Sequence, residues 1–374
     1  MENGFELLKG YFRKYQLDLT IIILAIILAF IVSGIFIAFF GANPFLAFYS
    51  MGKGVFGRVN GIAEMMVKAT PLLIIALGVA IAFKGGLINL GGDGQFHMGA
   101  LAATWVATTF IGIPLVLHII LILLSAAMAG GIWGGIAGFL KAKLGTNEVI
   151  MTIMMNFVAL YFMSYLVYGP LKEPGAFIPQ SKLIASSLRL FPIIPNTRAH
   201  FGIVIAIVLA VVAFIFISKT VWGYRINAVG YSPKAANYAG INTKFYTTLI
   251  LALSGAFAGL AGMVEVFGIH FRLLDGINPS FGFTAIVVAL LGRLHPLGII
   301  IASLFMGALT VGANSMQVTM EVPVSIVYII QSLVILFMLI GFSLKPKLAY
   351  PKNGKIISSL LGVKKEGVRD EHHI

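Results

Sequence analysis

The residues able to do chemistry in this chain gather in three polar stretches. Lys84-Gly-Gly-Leu-Ile-Asn-Leu-Gly-Gly-Asp-Gly-Gln95 sets Asn89, Asp93 and Gln95 among five glycines. Arg272-Leu-Leu-Asp-Gly-Ile-Asn-Pro-Ser-Phe-Gly282 carries Asp275, Asn278 and Pro279. The third stretch, residues 222–242, is rich in helix-capping residues. Amides such as Asn89, Gln95 and Asn156 both donate and accept hydrogen bonds, so they suit recognition of a polar solute, and equally suit bridging of helices. The carboxylates Glu64, Asp93, Glu148, Glu265 and Asp275 fall within or at the ends of apolar runs. There an ionised group is either functional or an interfacial or capping group. Asp93 is the leading functional candidate, because glycines flank it and Asn89 and Gln95 lie nearby. The aromatics Phe96, Trp105 and Phe157 could stack against a flat solute or simply pack.

Other chemistries find little support. There is no G-x-x-x-x-G-K-[ST], so ATP is not cradled here by that device. His97, His118, His200, His270 and His295 are scattered without metal-ligand spacing. No Ser-His-Asp arrangement stands out. No metal site, catalytic residue or bound cofactor is expected, and the chain does not look like a membrane enzyme.

The elements that hold these residues are set by composition. Hydrophobic residues make up 59% of the 374 residues and charged residues only 10%. Mean hydropathy is +0.99. This predicts an all-α polytopic membrane protein rather than a soluble domain. A span needs about 20 mostly apolar residues. Ten are expected, at 19–40, 64–83, 87–111, 113–139, 147–168, 201–217, 245–264, 279–291, 297–315 and 323–342. The eighth is short enough to be broken or re-entrant. The organisation is a polar segment over 1–18, a transmembrane domain over 19–342 and a basic tail over 343–374. The first run is too long for a signal-peptide core and reads as a retained helix.

The net charge of +13 raises nucleic-acid binding, but its distribution argues against it. With both termini in the cytoplasm, most Lys and Arg fall inside, including Lys141, Lys143, Lys219, Arg225, Lys234, Lys244 and the tail. That is the positive-inside pattern of a multi-pass protein of the cytoplasmic membrane. A cationic tail beside a span also attracts anionic lipid headgroups.

Gly130-Gly-Ile-Trp-Gly-Gly-Ile-Ala-Gly138 contains overlapping GxxxG pairs, and Ser254-Gly-Ala-Phe-Ala-Gly-Leu-Ala-Gly262 is similarly small-faced. Such faces pack within a bundle or between subunits. The stretches at 84–95 and 272–282 interrupt their spans. Unwound backbone at membrane depth is tolerated only in protein or beside a watery cavity. They enter from opposite sides, as an inverted repeat of spans two to five and seven to ten requires.

The segment 219–244 carries start and stop signals for a short helix. Ser232 suits the N-cap and Pro233 the first helical position. Lys234, Ala235, Ala236, Asn237, Tyr238 and Ala239 make roughly two turns, and Gly240 suits a left-handed stop. The expectation is a rigid knob on the cytoplasmic side, where a partner protein could push.

Three motifs resemble those of permease subunits of ABC importers, in the branched-chain amino acid, ribose and nucleoside group. Thr220-Val-Trp-Gly-Tyr-Arg-Ile-Asn-Ala-Val-Gly-Tyr-Ser-Pro-Lys-Ala-Ala-Asn-Tyr-Ala-Gly-Ile-Asn242 is similar to the family's coupling segment. Phe83-Lys-Gly-Gly-Leu-Ile-Asn-Leu-Gly-Gly-Asp-Gly-Gln95 resembles its F-x-x-G-x-x-N-I-G-x-E-G-Q signature. Ser254 to Glu265 with Val288-Ala-Leu-Leu-Gly-Arg-Leu-His-Pro-Leu-Gly298 is similar to its C-terminal half. The likeness runs from about Lys68 to Gly341. Asp93 departs from it, standing where the family usually has Glu and so shortening the reach. The long segment before Lys68 and the Ala-Thr-Pro-Leu-Leu pattern at 69–73 look most like the nucleoside and simple-sugar type.

The resemblance implies a mechanism and a set of partners. Two permease subunits, either copies or paralogues, form the pathway. Separate ATPase subunits bind ATP and Mg, and Ser232 to Ala239 would dock on them as a coupling helix. An extracellular lipoprotein or periplasmic protein delivers the solute, expected to be a nucleoside. Branched-chain amino acids or a simple sugar such as ribose are the alternatives, and a stand-alone secondary transporter is the rival from another class. Asn89, Asp93, Gln95, Phe96, Trp105, Asn156 and Phe157 are the expected substrate pathway.

Overall fold

The computed structural model describes residues 2–39, 41–277, 280–320 and 325–349. In chain order the helices are α1 (Glu2–Phe39), α2 (Pro44–Phe56), α3 (Val59–Lys84), α4 (Gly92–Thr109), α5 (Leu115–Leu144), α6 (Glu148–Tyr168), α7 (Gly202–Lys219), α8 (Val221–Tyr231), α9 (Pro233–Tyr238), α10 (Thr243–Glu265), α11 (Phe281–Leu291), α12 (Pro296–Met320) and α13 (Ser325–Ala349). A π-helical turn, Val266–His270, extends α10. Extended pairing among the described residues is limited to two isolated bridges, Gln180 with Leu274 and Pro192 with His200. The protein is an all-α polytopic membrane protein.

Among the described residues, α3, α5, α6, α7, α10 with its π turn, and α12 are long and apolar enough to cross a membrane. The expected spans three and eight take a different form. Each is a helix that begins late, after a non-helical entry: α4 after residues 85–91, and α11 after the turn that follows His270. Asn278 and Pro279 lie outside the described residues, as does the tail beyond Ala349.

The chain forms two compact units. Residues 1–41 and 328–374 make one. In it α1 buries a stripe at four-residue spacing, Ile21, Ala25, Ala29, Ser33 and Ile37. The Ser33 hydroxyl donates to the Ala29 carbonyl at 2.6 Å, so its polar group is satisfied within its own helix. Ile21 packs on Gly341 of α13.

Residues 42–327 make the second unit, which carries the polar stretches. At its centre α10 packs against α3, α4 and α5. Lipid tails are as apolar as leucine, so these helices gain little from hydrophobic burial and associate by close contact. Small residues permit it: Gly130 of α5 lies on the Gly255 carbonyl and on Gly259 of α10, and Gly134 on the Leu251 carbonyl. α3 is buried at every residue from Ala69 to Ala82. α12 packs on α2 and α3, and α11 sits against α3, α4 and α12.

Between α7 and α10 the sequence predicts one short helix, and the structure has two. α9 is the expected one: Ser232 Oγ accepts from the Ala235 N–H at 3.3 Å, Pro233 opens the helix, and Gly240 is left-handed at φ +80°. α8 precedes it, capped by Thr220 Oγ1, which accepts from the Gly223 N–H at 3.1 Å. Its glycines and polar residues hid it. Packing selects it instead, with Ile226 and Val229 buried beside Ile81, Tyr246 and Ile250.

Candidate functional site

Where α4 begins late, the chain leaves backbone groups unpaired inside the bundle, and buried groups of that kind need partners. The polar side chains of the first stretch supply them. Asn89 Oδ1 accepts from the Gly91 N–H at 2.9 Å and from Gln95 Nε2 at 3.1 Å. Asn89 Nδ2 donates to Gln95 Oε1 at 2.9 Å and to Ser254 Oγ of α10 at 2.8 Å. Asn156 of α6 accepts from the Gly94 N–H at 2.8 Å and donates to the Leu90 carbonyl at 2.8 Å. Thr152 Oγ1 accepts from the Leu90 N–H at 3.3 Å. The helix start at Gly91 has no side-chain cap of its own; Asn156 caps it from a neighbouring helix.

Asp93 repeats that device one helix further on. Ser280, at the start of α11, makes no capping bond. Asp93 Oδ1 instead accepts from the Gly282 N–H at 2.7 Å. A carboxylate at a helix N-terminus gains from the unpaired N–H groups and the helix dipole, typically about 0.3–1 kcal/mol and up to about 2 when partly buried. The short Asp side chain suits the distance, because the two backbones touch: a Cβ at Gly92 would stand 3.0 Å from Gly282 Cα. Two late-starting helices thus meet N-terminus to N-terminus at one carboxylate.

α11 is bounded by strained backbone. Ser280 at its start, and Arg293 and Leu294 after its end, are left-handed at φ +61°, +55° and +55°. That conformation costs an L-residue roughly 1–2 kcal/mol.

The predicted pathway residues therefore separate. Asn89, Gln95 and Asn156 are buried and joined in one network with Ser254 and Thr152, and Asp93 adjoins it. Phe96 is fully buried, its ring 5.9 Å from that of Phe281. Trp105 and Phe157 are about half exposed and face outward. Among the described residues no three His, Asp or Glu side chains are grouped to hold a metal ion.

The third polar stretch, residues 222–242, is attached directly to this site. Gly230 of α8 lies on the Lys84 carbonyl and on Gly85 and Gly86, the residues that open the break leading to Asn89. Beyond it, Tyr231 and Tyr238 stand almost fully exposed around α9. The two short helices thus present aromatics outward and touch a helix break inward.

Residues 61–339 match the family described as branched-chain amino acid transport system / permease component. The chain belongs to this permease family. It is therefore a transport subunit of a multi-pass membrane system, not an enzyme. Among its relatives, the guanosine ABC transporter permease protein NupP of Bacillus subtilis (strain 168) is 36% identical over 300 residues, covering 79% of this chain and 86% of that protein. The glucose ABC transporter permease protein TsgB13 of Haloferax volcanii is 37% identical over 289 residues, 75% of this chain and 76% of its own. The nucleoside ABC transporter permease protein NupB of Lactococcus lactis subsp. cremoris is 34% identical over 320 residues, 83% and 87% respectively.

Where α10 ends, the loop 169–201 packs along residues 267–273. Its backbone N–H groups at Leu190, Ile184 and Ser181 donate to Phe267, Phe271 and Leu273 at 3.0, 2.8 and 2.9 Å. Arg198 forms a two-pronged bond with Glu64 at 2.7 and 2.6 Å, which raises the pKa of the guanidinium further. His200 is buried; its Nδ1 accepts from the Gly202 N–H at 3.1 Å. Burial lowers the pKa of its imidazole below the usual value, and the Glu265 carboxylate opposes that shift.

Proposed function

We propose that this permease subunit carries nucleosides across the cytoplasmic membrane, driven by ATP that separate ABC-type ATPase subunits bind with Mg and hydrolyse. The observation that carries the coupling half of this reading is the contact of Gly230 with Lys84–Gly86. In this scheme Ser232 to Ala239 dock on the ATPase, with both termini and the excess Lys and Arg on the same, cytoplasmic side. When the ATPases close, α8 and α9 move as a body, and α8 presses on the first helix break. A second permease subunit completes the pathway, and a solute-binding lipoprotein or periplasmic protein loads it at the loop 169–201. The network around Asn89 positions α4, while Asp93 and the Phe96–Phe281 pair face the route. Trp105 and Phe157 remain candidates for its outer lining or for the second permease.

The nucleoside assignment draws on the guanosine and nucleoside permeases among the relatives. The glucose permease at 37% identity supports a second reading, a simple sugar. Binding assays on the cognate solute-binding protein, across guanosine, uridine, ribose, glucose and leucine, separate these. Tight binding of guanosine or uridine is expected; binding of glucose or leucine alone sinks the nucleoside reading. For the coupling, copurification of the ATPase is expected to disappear when Ser232–Ala239 is replaced by a Gly/Ser linker. Retention would remove α9 as the docking element.

A further inference from the structure

His97 sits one helical turn beyond Asp93, on α4. It is only 4% exposed, and neither ring nitrogen makes a hydrogen bond of good geometry, although a backbone group of Asp93, one turn back, and the Asp275 carboxylate stand near it. Buried polar groups in native folds are almost always paired, so an imidazole this poorly paired calls for an explanation beyond packing. Its direction follows from the helix. Residues four apart share a face, and helical side chains lean back toward the N-terminus, so His97 shares the face on which Asp93 meets α11. The Phe96 ring stands between the two elements, edge-on to His97 at 5.8 Å and 5.9 Å from Phe281.

α11 meets this face at Asp93 and at Phe96, and its hold is unusual. It is an eleven-residue helix with no N-cap of its own, fastened at that end by Asp93 Oδ1 on the Gly282 N–H at 2.7 Å. At its other end Arg293 and Leu294 are both left-handed, a strained joint that a change of backbone angle would relieve. A short helix latched at one end and strained at the other is suited to swing.

We propose that His97 is a solute contact, uncovered when α11 swings off its Asp93 latch. A neutral imidazole offers one donor and one acceptor. It therefore fits an uncharged polar solute that presents a hydroxyl or an amide edge, as a ribose or a nucleobase does. The proposal rests on the nucleoside reading for its ligand, but not for its gate.

Two measurements on the assembled transporter, with its ATPase and second permease in proteoliposomes, test it. The first is uptake of labelled guanosine. His97→Phe keeps the ring and removes the hydrogen bonds, and is expected to raise KM by about tenfold, the worth of a hydrogen bond. His97→Gln is expected to restore most of that. An unchanged KM in His97→Phe overturns the contact. If the native transporter takes glucose or ribose but not guanosine, the nucleoside reading fails, and the His97 variants are scored on the solute it does take.

The second measurement uses the absence of cysteine from the chain, which leaves His97→Cys as the sole thiol of this subunit. A maleimide is expected to label it slowly at rest and faster during ATP turnover. Asp93→Ala is expected to speed labelling at rest, whereas Asp93→Asn, which keeps an acceptor oxygen, is not. Labelling that ignores turnover overturns the gate. Should Asp93→Ala fail to assemble, the turnover dependence alone decides.

Discussion

Gly230 of α8 rests on the carbonyl oxygen of Lys84 at the end of α3, with no room for even a methyl group between them. Through that contact the short helices outside the bundle reach the break that holds Asn89. Gly230→Ala forces α8 and the break apart, and overpacking of this kind costs about 1–3 kcal/mol. Solute uptake is expected to fall roughly tenfold or more. ATPase copurification should persist, because α9 itself is untouched. Uptake assays beside pull-downs check both halves.

Ser232 supplies the N-cap of α9, and removing such a cap costs about 1 kcal/mol. Ser232→Ala is therefore expected to weaken ATPase binding about fivefold, and Ser232→Asp to leave it near normal. Titration of purified ATPase against the permease in detergent measures this.

The Asn89 network predicts graded losses of stability. Ser254→Ala removes one partner of Asn89, whereas Asn89→Leu strips partners from the Gly91 N–H, Gln95 and Ser254 together. Each buried group left unpaired costs about 1–3 kcal/mol. The thermal inactivation midpoint should fall clearly in Asn89→Leu and less in Ser254→Ala.

Acid is expected to destabilise the permease through His200. Its folded pKa lies below the unfolded value of 6.5, so the unfolded chain takes up the proton first. Stability contributed by the neutral ring is complete above that value and declines as pH falls through it. Thermal inactivation at pH 7.5 and 5.5 should differ more in the native chain than in His200→Asn, which offers Gly202 an acceptor that does not titrate.

The α5–α10 seam gives a positional contrast. A Cβ on Gly134 would collide with the Leu251 carbonyl, while one on Gly135 would meet the Ala252 methyl at 3.4 Å. Gly134→Ala should lower the yield of folded protein in detergent chromatography, and Gly135→Ala should not.

Local signals carried much of this architecture. Ser232, Pro233 and Gly240 announce α9 because capping depends on neighbours in sequence. The same kind of signal, Asn43 with Pro44, marks α2, where Asn43 Oδ1 accepts from the Phe45 N–H at 2.9 Å. The two helix breaks were visible as glycine-rich interruptions. What the polar residues do inside them was not. Asn89 finds Ser254 165 positions away, and Asp93 finds Gly282 189 positions away. An amide that binds a solute and one that completes a broken helix look alike until those distant partners are in place. α8 was hidden for a related reason: its glycines lower helix propensity, and the contact that requires Gly230 lies on another element.

The closed network around Asn89 has an electrical side. A membrane that stores energy as an ion gradient discharges through any continuous file of water. At the broken start of α4, where such a file would most easily form, the buried amides and carbonyls bind each other. The arrangement that braces the helix is thereby expected to act as a seal, and a variant that loosens it should be recognised first as a leak of protons.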